Sequence, residues 1–184
     1  MPELRLYDSA DEIPFELERQ VRSLLQAEWP GPVDEPGALL SAPQWHPTYF
    51  ILAEGGTVWS YARTVWARVM HLGRSLKLSG LGDVITAPRL RCSGYGGRVV
   101  REATAHIRSD READAALLLT EPGLEAFYRR CGWESVPGLE VKTDDYDEHN
   151  EGVNLPMMLF LSESAGHMRA GFCASPLILP GDEW

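Results

Sequence analysis

Leu90-Arg91-Cys92-Ser93-Gly94-Tyr95-Gly96-Gly97 lies between a strand-like run and a helix-like one. Before it, Leu81-Gly82-Asp83-Val84-Ile85-Thr86-Ala87 is β-rich and stops at Pro88. After it, Val99, Ala103 and Ile107 recur at i, i+4 and i+8, the spacing of one helical face. A glycine-rich turn feeding a helix N-terminus presents backbone N–H groups, and the helix dipole adds partial positive charge. Such a turn holds a phosphate or pyrophosphate without basic side chains. Gly94 and Gly96 let the backbone approach the ligand closely.

Three phosphate-binding patterns are separable here. A Walker A loop ends in Gly-Lys-Ser/Thr, whereas Gly97 is followed by Arg98 and Val99. A dinucleotide fingerprint needs a glycine three residues after its second, and Val99 stands there. The pattern that remains is Arg/Gln-x-x-Gly-x-Gly/Ala, matched by Arg91, Gly94 and Gly96.

The rest of the chain supplies the context. Leu17, Val21, Leu24 and Leu25 predict an amphipathic helix over 11–27, closed by the Pro/Gly loop of 29–37. Thr48–Ala53 predicts a strand, Glu54–Thr57 a hairpin turn, and Val58–His71 a long strand rich in Val, Trp and Tyr. After a turn at 72–74 come Ser75–Ser79 and a strand ending near Thr86, then the glycine loop and a helix over 97–109. Asp110–Asp114 is a charged connector and Ala115–Leu119 an apolar strand. Pro122 opens a helix whose face carries Leu124, Phe127, Tyr128 and Cys131, with Gly132 at its end. Leu139–Lys142 and Met157–Leu161 read as strands around the acidic run 143–152.

Fold order and loop together resemble the GNAT superfamily of acetyl-CoA-dependent N-acetyltransferases. The helix tail Ala126-Phe127-Tyr128-Arg129-Arg130-Cys131-Gly132-Trp133 resembles that family's tyrosine and Gly-aromatic end. The resemblance covers about residues 49–133. It implies an α/β (α+β) GNAT fold: a mixed, mostly antiparallel central sheet flanked by helices, with acetyl-CoA in a central strand splay. It further implies cofactor contacts from Val84, Ile85 and Thr86 to the pantetheine arm. Arg91, Cys92, Ser93, Gly94, Tyr95, Gly96 and Gly97 would form the pyrophosphate loop. Tyr128 is implied as the general acid that protonates the departing thiolate.

Within the superfamily the chain resembles the bacterial aminoglycoside 2′-N-acetyltransferases. The terminal Gly181-Asp182-Glu183-Trp184 is similar to their Gly-Asp-x-Trp ending. Asp34, Asp182 and Trp184, through its carboxylate, are the substrate-binding residues this resemblance implies. Two stretches depart from that family. Leu177–Pro180 replaces a more polar run, and Gly82-Asp83-Val84 stands where the family places Glu-Gly-Val. The candidate base is thus Asp83, acting through water. Strand alternation expects Asp83 on one face and Gly82 and Val84 on the other. His46 and His71 are alternative bases. Trp29, Trp45 and Trp184 are candidates for stacking on sugar faces.

Composition narrows the classes. At 184 residues one domain over 1–184 is expected. The net charge of −10 argues against nucleic acid and suits a cationic small-molecule acceptor. Three cysteines, Cys92, Cys131 and Cys173, lack metal-type spacing, so no metal is expected and a reducing, cytoplasmic setting fits. No apolar run is long enough for a membrane helix, and the N-terminus lacks the pattern of a signal peptide. GNAT proteins often form homodimers, and no stretch here marks an interface. Two other functions share the fold: an acetyltransferase for a polyamine, amino acid or protein N-terminus, and a non-catalytic ligand-binding protein.

Overall fold

In a computed structural model, residues 1–30, 43–143 and 155–181 are described. The chain begins with β1 (Glu3–Tyr7) and a short 3₁₀ turn, followed by α1 (Phe15–Glu28). The expected helix over 11–27 therefore starts later. Ser9 caps the 3₁₀ turn by accepting from the Asp11 N–H, and Pro14 then precedes the true helix. Leu17, Val21 and Leu25 form its buried stripe.

Next come β2 (Thr48–Glu54), β3 (Thr57–His71) and β4 (Arg74–Thr86), an antiparallel meander. The two separate runs expected over 75–86 are one strand. Gly80, where the two runs meet, sits between Val65 on one side and Leu117 on the other. Then follow α2 (Tyr95–Ser109), β5 (Ala115–Thr120), α3 (Glu125–Arg129) and β6 (Glu134–Ser135). The chain closes with β7 (Val141–Thr143), β8 (Leu155–Phe160), α4 (Glu163–Met168) and β9 (Leu177–Leu179). Of these, β1, β6, α4 and β9 are absent from the sequence-based expectation.

The main sheet has the order β1-β2-β3-β4-β5-β8-β6, and β7 pairs with β9 apart from it. Only β4 and β5 are parallel in the main sheet. This is the mixed, mostly antiparallel sheet with flanking helices that the resemblance implied.

The core has two sides. On one, α2 and α3 bury Val99, Val100, Ala103, Ile107 and Tyr128 against Phe50, Leu52, Ala62, Leu81 and Leu118. On the other, α1 covers Tyr49, Ile51, Tyr61 and Ile85. Farther along that second side, Phe172, Leu177 and Leu179 cover Leu76, Leu78, Leu117 and Met158. Even-numbered β2 residues thus meet α2 while odd-numbered ones meet α1, as strand geometry requires.

Candidate active site

Two features of the sheet build the site. The first is a splay. β4 and β5 pair only at Leu78↔Ala115, Ser79↔Ala116 and Gly80↔Leu117. Beyond Gly80 β4 stays on β3, while β5 continues along β8. Residues 81–86 therefore have a partner strand on one side only among the described residues. Backbone groups on the open side are available to a ligand that itself behaves like a strand.

The second feature is a bulge. Arg63 pairs with Gly82 and Tyr61 with Ile85, so Asp83 and Val84 together oppose Ala62. Asp83 takes φ of +53°, a left-handed conformation that aspartate tolerates better than most residues. Its carboxylate pairs with the Arg63 guanidinium. A Cβ on Gly82 would lie 3.9 Å from Arg63 Nε, so Gly82 faces the same way as Asp83. Val84 packs into the core on the α2 side. This corrects the alternation expected from the sequence, because the extra residue places Gly82 and Asp83 on one face.

The glycine loop sits at the end of this strand. A 3₁₀ turn at Pro88–Leu90 leads to Cys92, at φ +62°, and to Gly94, the residue before α2, at φ +85°. α2 thus begins at Tyr95, two residues earlier than expected, because the left-handed Gly94 launches it. Among the described residues no side chain caps the helix at Gly94, and a Cβ there would meet no atom within 4 Å. The helix N-terminus consequently faces open space, with its dipole and first N–H groups directed outward. The next two glycines differ. A Cβ on Gly96 would lie 3.0 Å from Thr86 Oγ1, and one on Gly97 would lie 3.1 Å from Arg101 Nη1 and 3.7 Å from Phe127. Gly94 is open toward a ligand, whereas Gly96 and Gly97 allow helix, strand and α3 to approach.

Neighbouring side chains hold the loop. Arg91 bonds to Glu28 at the end of α1 at 2.6 Å and to the Thr86 carbonyl at 3.3 Å. Ser93 Oγ bonds to the Arg91 carbonyl at 3.5 Å. Tyr95 meets Trp59 edge-on, with centroids 4.7 Å apart. Thr86 Oγ1 lies 2.9 Å from Ser60 Oγ, which also donates to the Ile85 carbonyl. Cys92 is exposed.

Across the splay stands α3. Tyr128 is 7% exposed and packs in the α2-side core beside Phe127. Burial pushes its phenol up to about 12, against an opposing hydrogen bond with Thr120. Thr120 ends β5, the strand that diverges from β4, so Tyr128 belongs to the opposite wall of the opening. The expected apolar face is only partly buried: Tyr128 and Cys131 are inside, while Leu124 falls in a preceding 3₁₀ turn and is exposed. Gly132, at φ +94°, turns the chain so that Trp133 inserts beneath α2, its indole N–H 2.9 Å from Thr104 Oγ1. The Gly-aromatic end therefore fixes α3 to α2.

The other candidates separate from this group. His71 is buried, with Nε2 2.8 Å from the Phe172 carbonyl and its ring against Phe172. That environment makes it a packing residue, so it does not serve as the base. His46 is exposed and stacks flat on Trp66, with centroids 4.1 Å apart. It lines a cavity of about 250 Å³ with Thr48, Thr64, Trp66, Ser79 and His106. That cavity is at the C-terminal end of α2, away from Gly94. Asp34, Asp182 and Trp184 lie outside the described residues, as does the acidic run from 144. Gly181 is described, and a Cβ there would lie 3.0 Å from the Trp45 ring. Among the described residues no cluster of His, Cys, Asp and Glu could hold a metal, and no helix is long and apolar enough to cross a membrane.

Sequence reasoning missed Arg63 and Thr120. Arg63 reads as one charge in a long strand, and Thr120 as a strand end. Their partners are distant in sequence, so local pattern carries no signal for either.

The model of the acetyltransferase (GNAT) domain matches residues 21–136, from within α1 through β6. The chain belongs to the GNAT acetyltransferase family. Enzymes of this family use acetyl-CoA as acetyl donor. The chain is similar to Escherichia coli ElaA, at 16% identity over 86% of this chain and 99% of that one, with a TM-score of 0.61. It is likewise similar to an acyl-CoA N-acyltransferase from Pseudomonas aeruginosa, at 16% identity, the same coverages and a TM-score of 0.59. A Brucella melitensis GNAT acetyltransferase crystallised with acetyl-CoA shares 19% identity over 98% of this chain and 94% of its own, with a TM-score of 0.57. At these identities the likeness shows the fold. No curated protein matches the chain.

Proposed function

We propose that this GNAT acetyltransferase, a single domain spanning 1–184, transfers acetyl from acetyl-CoA to a primary amine of a cationic small molecule. An amino sugar of the aminoglycoside type is the favoured acceptor. One observation carries the reading: the β4–β5 splay has the Asp83 bulge on one wall and Tyr128 on the other, with the open helix N-terminus at Gly94 at its end.

Each part has a role in this reading. The α2 N-terminus, entered through Arg91–Gly97, holds the pyrophosphate. The pantetheine arm pairs with the open edge of Val84, Ile85 and Thr86. A backbone N–H at the bulge polarises the thioester oxygen, a contact that strengthens as the carbonyl becomes an oxyanion. The amine nitrogen attacks the carbonyl carbon and gives its proton, through water, to Asp83. The C–S bond then breaks, leaving an amide and CoA. At about 12 the Tyr128 phenol keeps its proton throughout the neutral range. It is also a weaker acid than an ordinary thiol. Its contribution is thus a hydrogen bond to the departing thiolate, which stabilises the charge that develops on sulfur, and solvent supplies the proton that CoA finally carries.

The acceptor class is supported by the net charge of −10 and by the terminal Gly181-Asp182-Glu183-Trp184. Gly181, which precedes Asp182, lies against Trp45, one of the candidates for stacking on a sugar face. The test is a screen of aminoglycosides, polyamines, amino acids and peptide N-termini, scored by release of free CoA thiol. Turnover with amino sugars above the other amines supports the acceptor assignment. A preference for peptide N-termini or amino acids overturns it while leaving acetyl transfer intact. Acetyl-CoA binding without thiol release to any acceptor favours the non-catalytic reading.

A further inference from the structure

The ion pair between Arg63 and Asp83 lies under the bulge rather than at the surface. Arg63 is only 9% exposed, on the central strand β3, and Asp83 is a non-glycine residue in left-handed backbone on β4. Ordinarily an L-residue avoids that conformation, and a strand without a bulge has no place for it. Here the register break, the positive φ and the ion pair coincide on one residue. The guanidinium also lies 3.9 Å from where a Gly82 Cβ would stand, on the same face. The ion pair thus spans the point at which β4 departs from regular pairing with β3.

We infer that Arg63 is a positioning residue: by binding Asp83 it holds the β4 bulge, and so aims the bulge N–H at the thioester. The inference rests on the reading that the splay holds acetyl-CoA. Its physical basis is direct. Without the guanidinium, Asp83 gains nothing from left-handed backbone, and a regular register that pairs Ala62 with one residue competes. Removing Arg63 therefore releases the bulge. Glycine at 83 would make the contact unnecessary, because glycine adopts positive φ without steric cost.

The prediction is tested with Arg63→Met, Arg63→Lys and the double variant Arg63→Met/Asp83→Gly. The double variant removes both members of the Arg63–Asp83 ion pair. The first measurement is amide exchange and chemical shift at residues 82–85, which needs no ligand. In Arg63→Met the exchange protection of these amides should change, and in the double variant that of residues 82, 84 and 85 should return to the wild-type pattern. The second is calorimetry with acetyl-CoA and with CoA, whose affinity ratio isolates the acetyl group. Arg63→Met should lower that ratio about fivefold, the worth of one hydrogen bond. Arg63→Lys should recover part of it, and the double variant nearly all. In kinetics, Arg63→Met should lower kcat with little change in acceptor KM. The double variant should keep a low kcat, since the proposed proton acceptor is gone.

Unchanged amides in Arg63→Met, or a double variant that does not restore them, overturns the inference. If Arg63→Met does not fold, the same comparison is made between Arg63→Lys and the double variant. A wild-type protein that binds neither acetyl-CoA nor CoA overturns the proposed function instead, and the amide pattern still decides whether Arg63 holds the bulge.

Discussion

Thr86 and Gly96 interlock: the Thr86 hydroxyl occupies space within 3.0 Å of where a Gly96 Cβ would stand. The end of β4 and the first turn of α2 are thus packed without room for a side chain. Thr86 cannot turn away freely, since its hydroxyl is also 2.9 Å from Ser60 Oγ. Gly96→Val should therefore lower stability by about 1–3 kcal/mol through overpacking. Thermal or denaturant unfolding checks this. Loss of CoA binding in that variant would report mainly on the distorted turn, so Gly96 is a poor probe of the pyrophosphate site.

Gly94 is the better probe. Its Cβ position is open, and Asn and Asp both tolerate left-handed backbone and suit a helix N-cap. Gly94→Asn and Gly94→Asp should have similar melting temperatures. If an anion sits at this N-terminus, Asp should weaken CoA binding more than Asn by about tenfold or more, roughly 1.4 kcal/mol. The gap should shrink as salt is raised. Equal affinities in calorimetry would place the pyrophosphate elsewhere.

Tyr128→Phe keeps the packed ring and removes the proton. kcat should fall about tenfold to 10²-fold, the worth of one hydrogen bond to a charged group, while acetyl-CoA affinity is retained. The raised phenol also has a consequence for stability. Its value of about 12 in the folded state exceeds the ordinary 10, so folding favours the protonated form. That stabilisation is complete below pH 10 and is lost as pH rises from 10 toward 12. Unfolding followed across that window should show a shallower alkaline loss in Tyr128→Phe than in the wild type.

Tyr61 offers a contrast. It is fully buried on the α1 side, its hydroxyl finds no hydrogen-bond partner among the described residues, and burial, reinforced by Asp83, pushes its phenol well above 10. Removing an unsatisfied buried hydroxyl is not destabilising. Tyr61→Phe should leave stability unchanged or raise it by about 1–3 kcal/mol. A clear fall in melting temperature would mean that the hydroxyl is satisfied.

Removing Trp184 tests the acceptor assignment. If Trp184 borders the acceptor site as proposed, ending the chain at Glu183 should raise the KM for an amino-sugar acceptor and spare acetyl-CoA affinity. Unaltered acceptor kinetics would remove the terminal carboxylate from the site.

The cofactor loop was legible because its information is local. A stop at Pro88, glycines at 94, 96 and 97, and apolar residues at 99, 103 and 107 are consecutive along the chain, and helix-entry geometry depends on little else. The same holds for Gly132 after α3. Even so, sequence did not separate the roles of the glycines: Gly94 faces open space, while Gly96 is set by Thr86 and Gly97 by Arg101 and Phe127.

What the amino-acid order determined by itself was the succession of elements, the amphipathic faces, the strand–loop–helix unit and the fold these imply. Tertiary structure alone decided the wall of the candidate site. The runs on either side of Gly80 read as separate until Val65 and Leu117 flank that residue in one continuous strand. Strand alternation sends Gly82 and Asp83 to opposite faces until Arg63, twenty positions earlier, draws Asp83 into left-handed backbone and inserts the bulge. His71 is an open candidate for a base until Phe172 closes over it. In each case a local rule gave way to a contact made across the sheet. Such contacts depend on register and packing between distant segments, which no short window of sequence contains.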